Sequence, residues 1–190
     1  MSEVVIAGAG IVGAACAYEC ARAGFGVTVL EESVVGGGAT AAGMGHVVVM
    51  DDSEAQFALT SYSRRLWNER VSQMPAGVEM LACGTLWVAA DGEEMEEVER
   101  KRVFYEARGV RVEVLDGRQL AEAEPELRAG LAGGLLVPED SVVYPPVAAE
   151  WLLRESGARV VQGARVVALT DAGARLSDGT VVGGDVLVDA

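Results

Sequence analysis

The chain has 190 residues, of which 51% are hydrophobic, and a formal net charge of −14. This length and apolar content allow one domain or two small domains with a buried core. The strong negative charge argues against a surface that binds nucleic acid or an anionic membrane.

The first 32 residues predict one strand–helix–strand unit. Residues 4–7 are a short apolar run typical of a buried strand, and residues 11–23 predict an alanine-rich helix that ends at Gly24. Residues 27–30 predict a second buried strand, which is followed by Glu31 and Glu32. Such a unit crosses over right-handed and places its two strands side by side in a parallel sheet.

The rest of the chain predicts a loop and then a mixture of helices and strands. The loop, residues 33–45, is rich in glycine and alanine. Further helices are predicted over residues 54–74, 93–108, 119–123 and 145–156. Further strands are predicted over residues 47–50, 84–90, 110–115, 131–137, 159–161, 166–169, 174–176, 181–182 and 185–189. The last of these is apolar and is expected to be a buried sheet member, and its position at the end of the chain suggests truncation.

A GxGxxG motif lies between the first predicted strand and helix. Gly8 permits a tight turn, Gly10 lets the backbone approach a pyrophosphate, and Gly13 lets helix and strand pack closely. The helix begins around Ile11 and Val12, where free N–H groups and the positive end of the helix dipole favour phosphate. The motif in this context predicts a dinucleotide-binding site.

An acid follows the second predicted strand at the position that such a site requires. Glu31 lies about twenty residues beyond the glycine turn, where a carboxylate accepts hydrogen bonds from a ribose 2′-OH. It would also repel a 2′-phosphate, so NADP is disfavoured. Glu32 takes this role if the turn is shifted by one residue. The motif and its acid do not separate FAD from NAD.

The segment 36–46 favours FAD. Its many small residues would let the backbone lie against a large flat ring, with N–H groups near phosphates or flavin edge atoms. The candidate contacts are Gly38, Ala39, Thr40, Ala42, Gly43, Met44, Gly45 and His46. His46 is the only histidine, and it is a candidate for tuning the flavin or meeting the substrate. The alternative is a loop histidine whose polar atoms are satisfied by the backbone.

The cysteines and the chain start bear on metal binding and location. Cys16, Cys20 and Cys83 match no metal-ligand spacing and no even disulfide set, so no metal site is predicted. Thiols without a disulfide framework suit a reducing cytoplasm. The sequence shows no secretory signal pattern and no long apolar span. We therefore expect a soluble, cytoplasmic protein without a membrane span.

Several segments together carry a family resemblance. The chain resembles the D-amino-acid oxidase family of flavoproteins, which includes glycine oxidase and sarcosine oxidase. The matching segments are VVIAGAGIVGAACAYECARAGFGVTVLEE, GGGATAAGMGHVV, GTLWVA, GGLLVPEDSVVYPP, GARVVQGARVVAL and DVLVDA. Within the family, AAGMGH and LTSYSRRLW are most similar to the D-hydroxyproline dehydrogenase and hydrogen-cyanide-synthase-like branch.

The resemblance implies an α/β fold in which a Rossmann-like FAD-binding domain is interleaved with part of an antiparallel-sheet substrate domain. The FAD-binding domain would use residues 1–82 and 143–190, and the substrate domain would use residues 83–142. It also implies that Glu31 binds the ADP ribose, that the segment from Gly38 to His46 runs from the pyrophosphate to the flavin ring, and that Val166 lies beside the adenine.

The resemblance implies oxidation of the C–N bond of an amine or amino acid, with hydride transfer to flavin N5. The substrate would be a D-amino acid, glycine, sarcosine or hydroxyproline, and a homo-oligomer or a partner subunit is possible in such a protein. Catalytic residues are expected beyond Ala190. Two alternatives stay open. One is a flavoprotein of another activity, such as a glycerol-3-phosphate dehydrogenase or a tRNA-modifying enzyme, and the other is an inactive FAD-binding fragment.

Overall fold

A computed structural model describes residues 2–190. The chain folds into two compact units. The first unit contains the segment up to Gly45 together with Met74–Glu79 and Val143–Ala190. The second contains His46–Gln73 and Met80–Val142. Each unit has its own sheets and its own buried core.

The strands and helices alternate along most of the chain. The strands are β1 Glu3–Ala7, β2 Gly26–Glu31, β3 His46–Val47, β4 Thr85–Ala89, β5 Glu113–Asp116, β6 Gly133–Val137, β7 Ser141–Val142, β8 Arg159–Gln162, β9 Val166–Thr170, β10 Gly173–Leu176, β11 Val181–Val182 and β12 Val186–Asp189. The α-helices are α1 Ile11–Arg22, α2 Gly38–Ala42, α3 Glu54–Arg70, α4 Gly92–Glu106, α5 Gly117–Ala123 and α6 Pro145–Ser156. Short 3₁₀ helices occupy Val71–Gln73 and Ala76–Val78.

The first unit is built on a parallel sheet with the strand order β12-β1-β2-β8. Helix α1 connects β1 to β2, contacts both strands and packs against α6. On one face of the sheet, Val5 and Leu30 join a core cluster with Ala164 and Ala174, which belong to the antiparallel β9-β10-β11 segment and the turn before it. Because side chains alternate along a strand, Ile6 points to the opposite face, where it is fully buried.

The second unit is built on an antiparallel sheet with the order β4-β6-β5, and it also contains the short β3-β7 pair. Its core combines sheet residues such as Leu135 with Val98 and Tyr105 of α4. The N-cap residues that directly precede helices α3, α4 and α5 are Ser53, Asp91 and Asp116. Each of these side chains accepts a hydrogen bond from a backbone N–H of the first turn. This capping explains where the helices start.

The structure corrects two predicted strands, because their backbone donors are used elsewhere. Of the residues 47–50 that were predicted to form a strand, only Val47 lies in one, as part of β3. The Val49 N–H donates to the Asp140 carboxylate and the Met50 N–H donates to Thr60 Oγ1. The strand predicted over residues 110–115 begins only at Glu113, because the Val110 N–H donates to the Tyr105 carbonyl and closes the end of α4.

Three further predictions made from the sequence also differ from the structure. The predicted loop 33–45 contains the short helix α2, since Ala39, Ala41 and Ala42 favour helix. The helix predicted over residues 54–74 is α-helical only to Arg70 and continues as a 3₁₀ turn, shortly before Pro75. Strand β12 was expected to be buried. Within residues 2–190 it pairs only with β1, at the edge of the parallel sheet, and Val186 is 45% exposed.

The division into functional domains stays a prediction. Residues 46–73 lie in the second compact unit, whereas the sequence-based division assigned them to the FAD-binding domain. Within residues 2–190, every helix is too short or too polar to cross a membrane.

Candidate cofactor-binding site

The glycine turn joins β1 to α1 under tight steric limits. Gly8 has a φ of +104°, and its N–H donates to the Leu30 carbonyl over 2.8 Å, which extends the pairing of β1 with β2. A Cβ atom at Gly8 would overlap the carbonyl oxygen of Ala190, and a Cβ atom at Gly13 would overlap the carbonyl oxygen of Gly8. The turn therefore needs glycine at both positions, Gly8 for its conformation and Gly13 for its close approach.

The N-terminus of α1 presents backbone donors to the groove. The N-cap residue, Gly10, has no side chain to cap the helix, and the first turn contains no acidic residue. The first N–H groups of an α-helix have no partner within the helix. One of these N–H groups, that of Ile11, has a partner from elsewhere in the chain, because it donates a hydrogen bond to the Oγ1 atom of Thr40 over 3.0 Å. This helix end is suited to bind an anion.

The carboxylate of Glu31 bonds to two backbone amides. Its Oε2 atom accepts from the Ala9 N–H over 2.8 Å, and its Oε1 atom accepts from the Ser33 N–H over 2.7 Å. The Ala9 carbonyl in turn accepts from the Gly36 N–H over 2.9 Å. The end of β2, the glycine turn and the following segment are thus joined by hydrogen bonds. Glu32 lies at the surface, 3.6 Å from the guanidinium of Arg165.

Two adjoining cavities bring most of the predicted residues together. The first is lined by Gly8, Gly10, Ile11, Val12, Glu31, Glu32, Ser33, Val34, Gly37, Gly38, Ala39, Thr40 and Ala190. The second is lined by Ala7, Gly8, Leu30, Glu31, Glu32, Ala164, Val166, Val167, Ala168, Leu169, Asp189 and Ala190. Because they share Gly8, Glu31, Glu32 and Ala190, they form one groove over the carboxyl ends of the parallel strands. That edge is where open α/β sheets bind ligands.

Some predicted residues lie outside these linings. Gly13 packs behind the turn, and Ala42, Gly43 and Met44 are exposed. Gly45 has a φ of +70°, and its carbonyl accepts from the Val143 N–H. His46 has an exposed side chain and pairs through its backbone with Val142.

The structure also adds lining residues that sequence reasoning missed. Ser33, Val34 and Gly37 lie in the small-residue segment next to the predicted contacts, so a wider reading of that segment would have included them. The residues from β9 other than Val166, and Asp189 and Ala190 from the end of β12, carry no local sequence signal. The pairing of β12 with β1 and the packing of the β9-β10-β11 sheet against β1 and β2 bring them to the groove.

The cysteines lie apart from the groove linings. Cys16 and Cys20 are half-buried on α1, Cys83 is exposed, and all three are free thiols. Burial, with a smaller contribution from Cys20, raises the pKa of the Cys16 thiol. A thiol with a raised pKa is a poor nucleophile at neutral pH.

Comparison with known families assigns this chain to a class of protein. A family described as FAD dependent oxidoreductase matches residues 3–190. The chain belongs to the FAD-dependent oxidoreductase family. The resemblance inferred from the motifs and the predicted α/β fold class are therefore confirmed, and the cofactor of the family is FAD.

Individual relatives agree with this assignment. Glycine oxidase of Geobacillus kaustophilus is 29% identical over 156 residues, which cover 76% of this chain and 40% of that protein. The tRNA 5-methylaminomethyl-2-thiouridine biosynthesis bifunctional protein MnmC of Pseudomonas putida is 30% identical over 169 residues, which cover 84% of this chain and 24% of that protein.

Solved structures share the whole fold of the chain. The crystal structure of glycine oxidase from G. kaustophilus has a TM-score of 0.85 at 25% identity and matches 100% of this chain and 55% of that chain. The L-proline dehydrogenase from P. horikoshii has a TM-score of 0.87 at 26% identity and matches 100% of this chain and 52% of that chain. The chain spans about half the length of these two structures.

Proposed function

We propose that the whole protein is an FAD-dependent oxidase or dehydrogenase that acts on the C–N bond of an amine or amino acid, and that the groove holds the ADP half of FAD. The observation that carries the proposal is the single groove in which the N-terminus of α1, Glu31 and Val166 meet, in a chain of the FAD-dependent oxidoreductase family.

The residues present fit the cofactor. A pyrophosphate would lie at the N-terminus of α1, against Gly10, Ile11, Val12 and Thr40, because the helix end offers N–H groups and its first turn contains no acidic residue. The carboxylate of Glu31 has lone pairs beyond the two that accept from the backbone. It can therefore also accept from a ribose hydroxyl.

The two ends of the cofactor would extend from this centre. The adenine would lie in the second cavity, against Val166. The segment from Gly38 to His46, with Ala39, Ala42, Gly43, Met44 and Gly45 between them, would lead toward the flavin ring. Glu32 also lines both cavities and is the alternative to Glu31 for the ribose contact.

Bound FAD supplies a hydride acceptor at its N5 atom. The residues of this chain bind and orient the cofactor, and in this proposal His46 meets the flavin or the substrate. The substrate would be a small amine or amino acid. The whole protein would be located in the cytoplasm. A homo-oligomer or a partner subunit belongs to the same proposal.

Names of relatives support this substrate class. Glycine oxidase and L-proline dehydrogenase are both named for amino acids. The similarity to MnmC supports a second candidate function in tRNA modification. The net charge of −14 disfavours it for this part of the protein, because RNA binding depends on positive charge near the phosphates.

Two measurements on the purified protein test the proposal. Visible absorption should show the bands of bound flavin, in the protein as isolated or after reconstitution with FAD. Under anaerobic conditions, a panel of glycine, sarcosine, D- and L-amino acids and hydroxyproline isomers should include at least one compound that bleaches those bands. The bleaching reports reduction of the flavin without requiring knowledge of the electron acceptor.

The outcomes separate the alternatives. Protein that stays colourless with FAD and binds NAD tightly would contradict the cofactor assignment. Protein that binds FAD but is reduced by none of the panel would contradict the proposed amino-acid substrate and favour another flavoprotein activity or an inactive fragment.

A further inference from the structure

Glu31 has a position that a ribose contact alone does not explain. Each of its carboxylate oxygens already accepts a hydrogen bond from a backbone amide, one from Ala9 and one from Ser33. These amides lie 22 residues upstream of Glu31 and 2 residues downstream of it. The carboxylate therefore joins the glycine turn to the start of the segment that lines the other side of the first cavity.

The bond to Ala9 continues the pairing of β1 with β2 beyond the strand ends. The Gly8 N–H donates to the Leu30 carbonyl, and the next amide, that of Ala9, donates to the Glu31 side chain. Ala9 is fully buried, so without Glu31 its N–H would lose a partner that water cannot easily replace. The side chain of Glu31 thus extends the sheet at the point where the chain turns away from it.

The carbonyl group of Ala9 is also fixed by a hydrogen bond. The carbonyl of Ala9 accepts from the Gly36 N–H over 2.9 Å. Ala9 lies between Gly8 and Gly10. Because glycine has no side chain, these two positions leave the local backbone free to adopt other conformations. The hydrogen bonds that Ala9 donates to Glu31 and accepts from Gly36 remove that freedom and set the direction in which the following amides point.

We propose that Glu31 is a positioning residue, which orients the Ala9 peptide and the start of the 33–45 segment independently of any contact with a ribose. The inference rests on the proposed binding of FAD in the groove and deepens it. A glutamine at this position offers one acceptor oxygen in place of two, so either Ala9 or Ser33 would face an NH₂ group. The charge-assisted character of the remaining bond would also be lost.

A binding cycle separates positioning from ribose contact. Wild-type protein and the Glu31→Gln variant are each titrated with FAD and with an FAD analogue whose adenosine ribose lacks the 2′- and 3′-hydroxyls. We expect Glu31→Gln to weaken binding of FAD by about tenfold, the scale of a hydrogen bond to a charged group. Because the lost interaction lies within the protein, the variant should weaken binding of the analogue by a similar factor.

Glu155→Gln is the matched control. It removes the same charge from the same unit, but Glu155 lies outside the groove linings, and its side chain is exposed, with a long ion pair to Arg154. We expect it to change both affinities by less than about twofold, as for a surface ion pair. If the Glu31→Gln penalty falls below about threefold for the analogue while it persists for FAD, the residue acts through the ribose and the inference is overturned.

Amide hydrogen exchange gives a second readout, and its first part uses only the wild-type protein. In FAD-loaded wild-type protein, the amides of Ala9 and Ser33 should exchange slowly, since both are bonded to Glu31. In Glu31→Gln at least one of them should exchange faster. Rapid exchange of both amides in the wild type would overturn the inference. Failure of the wild type to bind FAD at all would instead contradict the proposed function, so the two failures are distinguishable.

Discussion

The hydroxyl of Thr40 lies at the N-terminus of α1, with its Oγ1 atom 3.0 Å from the Ile11 amide nitrogen. It accepts the Ile11 proton, so its own proton is free to be donated to an anion in the groove. Thr40 belongs to α2, the short helix within the segment that was expected to be a loop. The small-residue segment thus contributes a specific donor to the proposed phosphate site in addition to its lack of bulk.

Replacing Thr40 tests this arrangement. Thr40→Val keeps the shape of the side chain but removes the hydroxyl, and we expect FAD binding to weaken by about 1–2 kcal/mol, as for the loss of one hydrogen bond in a partly buried site. Thr40→Ser keeps the hydroxyl and should stay close to the wild type. Equilibrium titration with FAD provides the measurement. Equal affinities for the valine and serine variants would contradict a role for the hydroxyl.

Gly8→Ala should abolish FAD binding or prevent folding. At a φ of +104° an alanine is strained, and its Cβ would also overlap the Ala190 carbonyl. Gly24→Ala is the matched control, because Gly24 has a φ of +89° but nothing within 4 Å of an added Cβ. The control carries only the backbone strain of about 1–2 kcal/mol. Urea unfolding and FAD titration compare the two, and equal effects would show that the steric overlap does not matter.

Arg64→Met should destabilise the second unit strongly. The Arg64 Nη1 atom lies 2.9 Å from Asp140 Oδ1, and the side chains are only 11% and 2% exposed. Burial raises the pKa of Asp140 above its ordinary value, and the hydrogen bonds from Thr85, Val49 and Arg64, which lower the pKa, offset this only in part. Loss of the guanidinium leaves a buried, unpaired carboxylate, which costs about 3–5 kcal/mol.

A double variant and a surface control complete this test. Arg64→Met combined with Asp140→Asn should recover part of the lost free energy of unfolding, since the residues are directly coupled. Arg65→Met removes an exposed ion pair with Glu69 and should change stability by less than about 1 kcal/mol. If Arg64→Met unfolds at the same urea concentration as Arg65→Met, the buried pair does not stabilise this unit.

Asp51 predicts a pH dependence of stability in the second unit. Burial raises the pKa of its carboxyl, but hydrogen bonds from Lys101, Arg100 and Tyr105 outweigh burial and hold the pKa below its ordinary value of 3.8. The folded state therefore favours the charged form. This contribution is complete above the unfolded pKa and is lost as the pH falls through the lower folded pKa.

The measurement compares wild type with Asp51→Asn. At pH 7 the variant should be less stable by about 1–3 kcal/mol, the scale of hydrogen bonds between charged groups. The difference should shrink as the pH falls below about 4, because the wild-type carboxyl becomes protonated. Asp52→Asn, at an exposed neighbouring position, is the control. A difference between wild type and Asp51→Asn that grows on acidification would contradict the sign.

The sequence by itself determined the local parts of the candidate cofactor site. The order of apolar run, glycine turn, helix, second apolar run and acid follows from the short-range limits on backbone conformation around Gly8, Gly10 and Gly13. These limits act within a few residues, so β1, α1, β2 and the position of Glu31 at the end of β2 follow from the residues alone. The family resemblance also rests on such local segments.

Only the tertiary structure decided which distant residues join that site. Val167, Ala168, Leu169 and Ala190 border the groove because the β9-β10-β11 sheet packs against β1 and β2 and because β12 pairs with β1, and no local pattern encodes these long-range contacts. The same holds where backbone donors find distant acceptors. The Val49 amide bonds to Asp140, 91 residues away, and β3 ends early for that reason. Residues 47–50 carry a strand-like pattern, but their hydrogen bonds depend on partners that only the folded chain supplies.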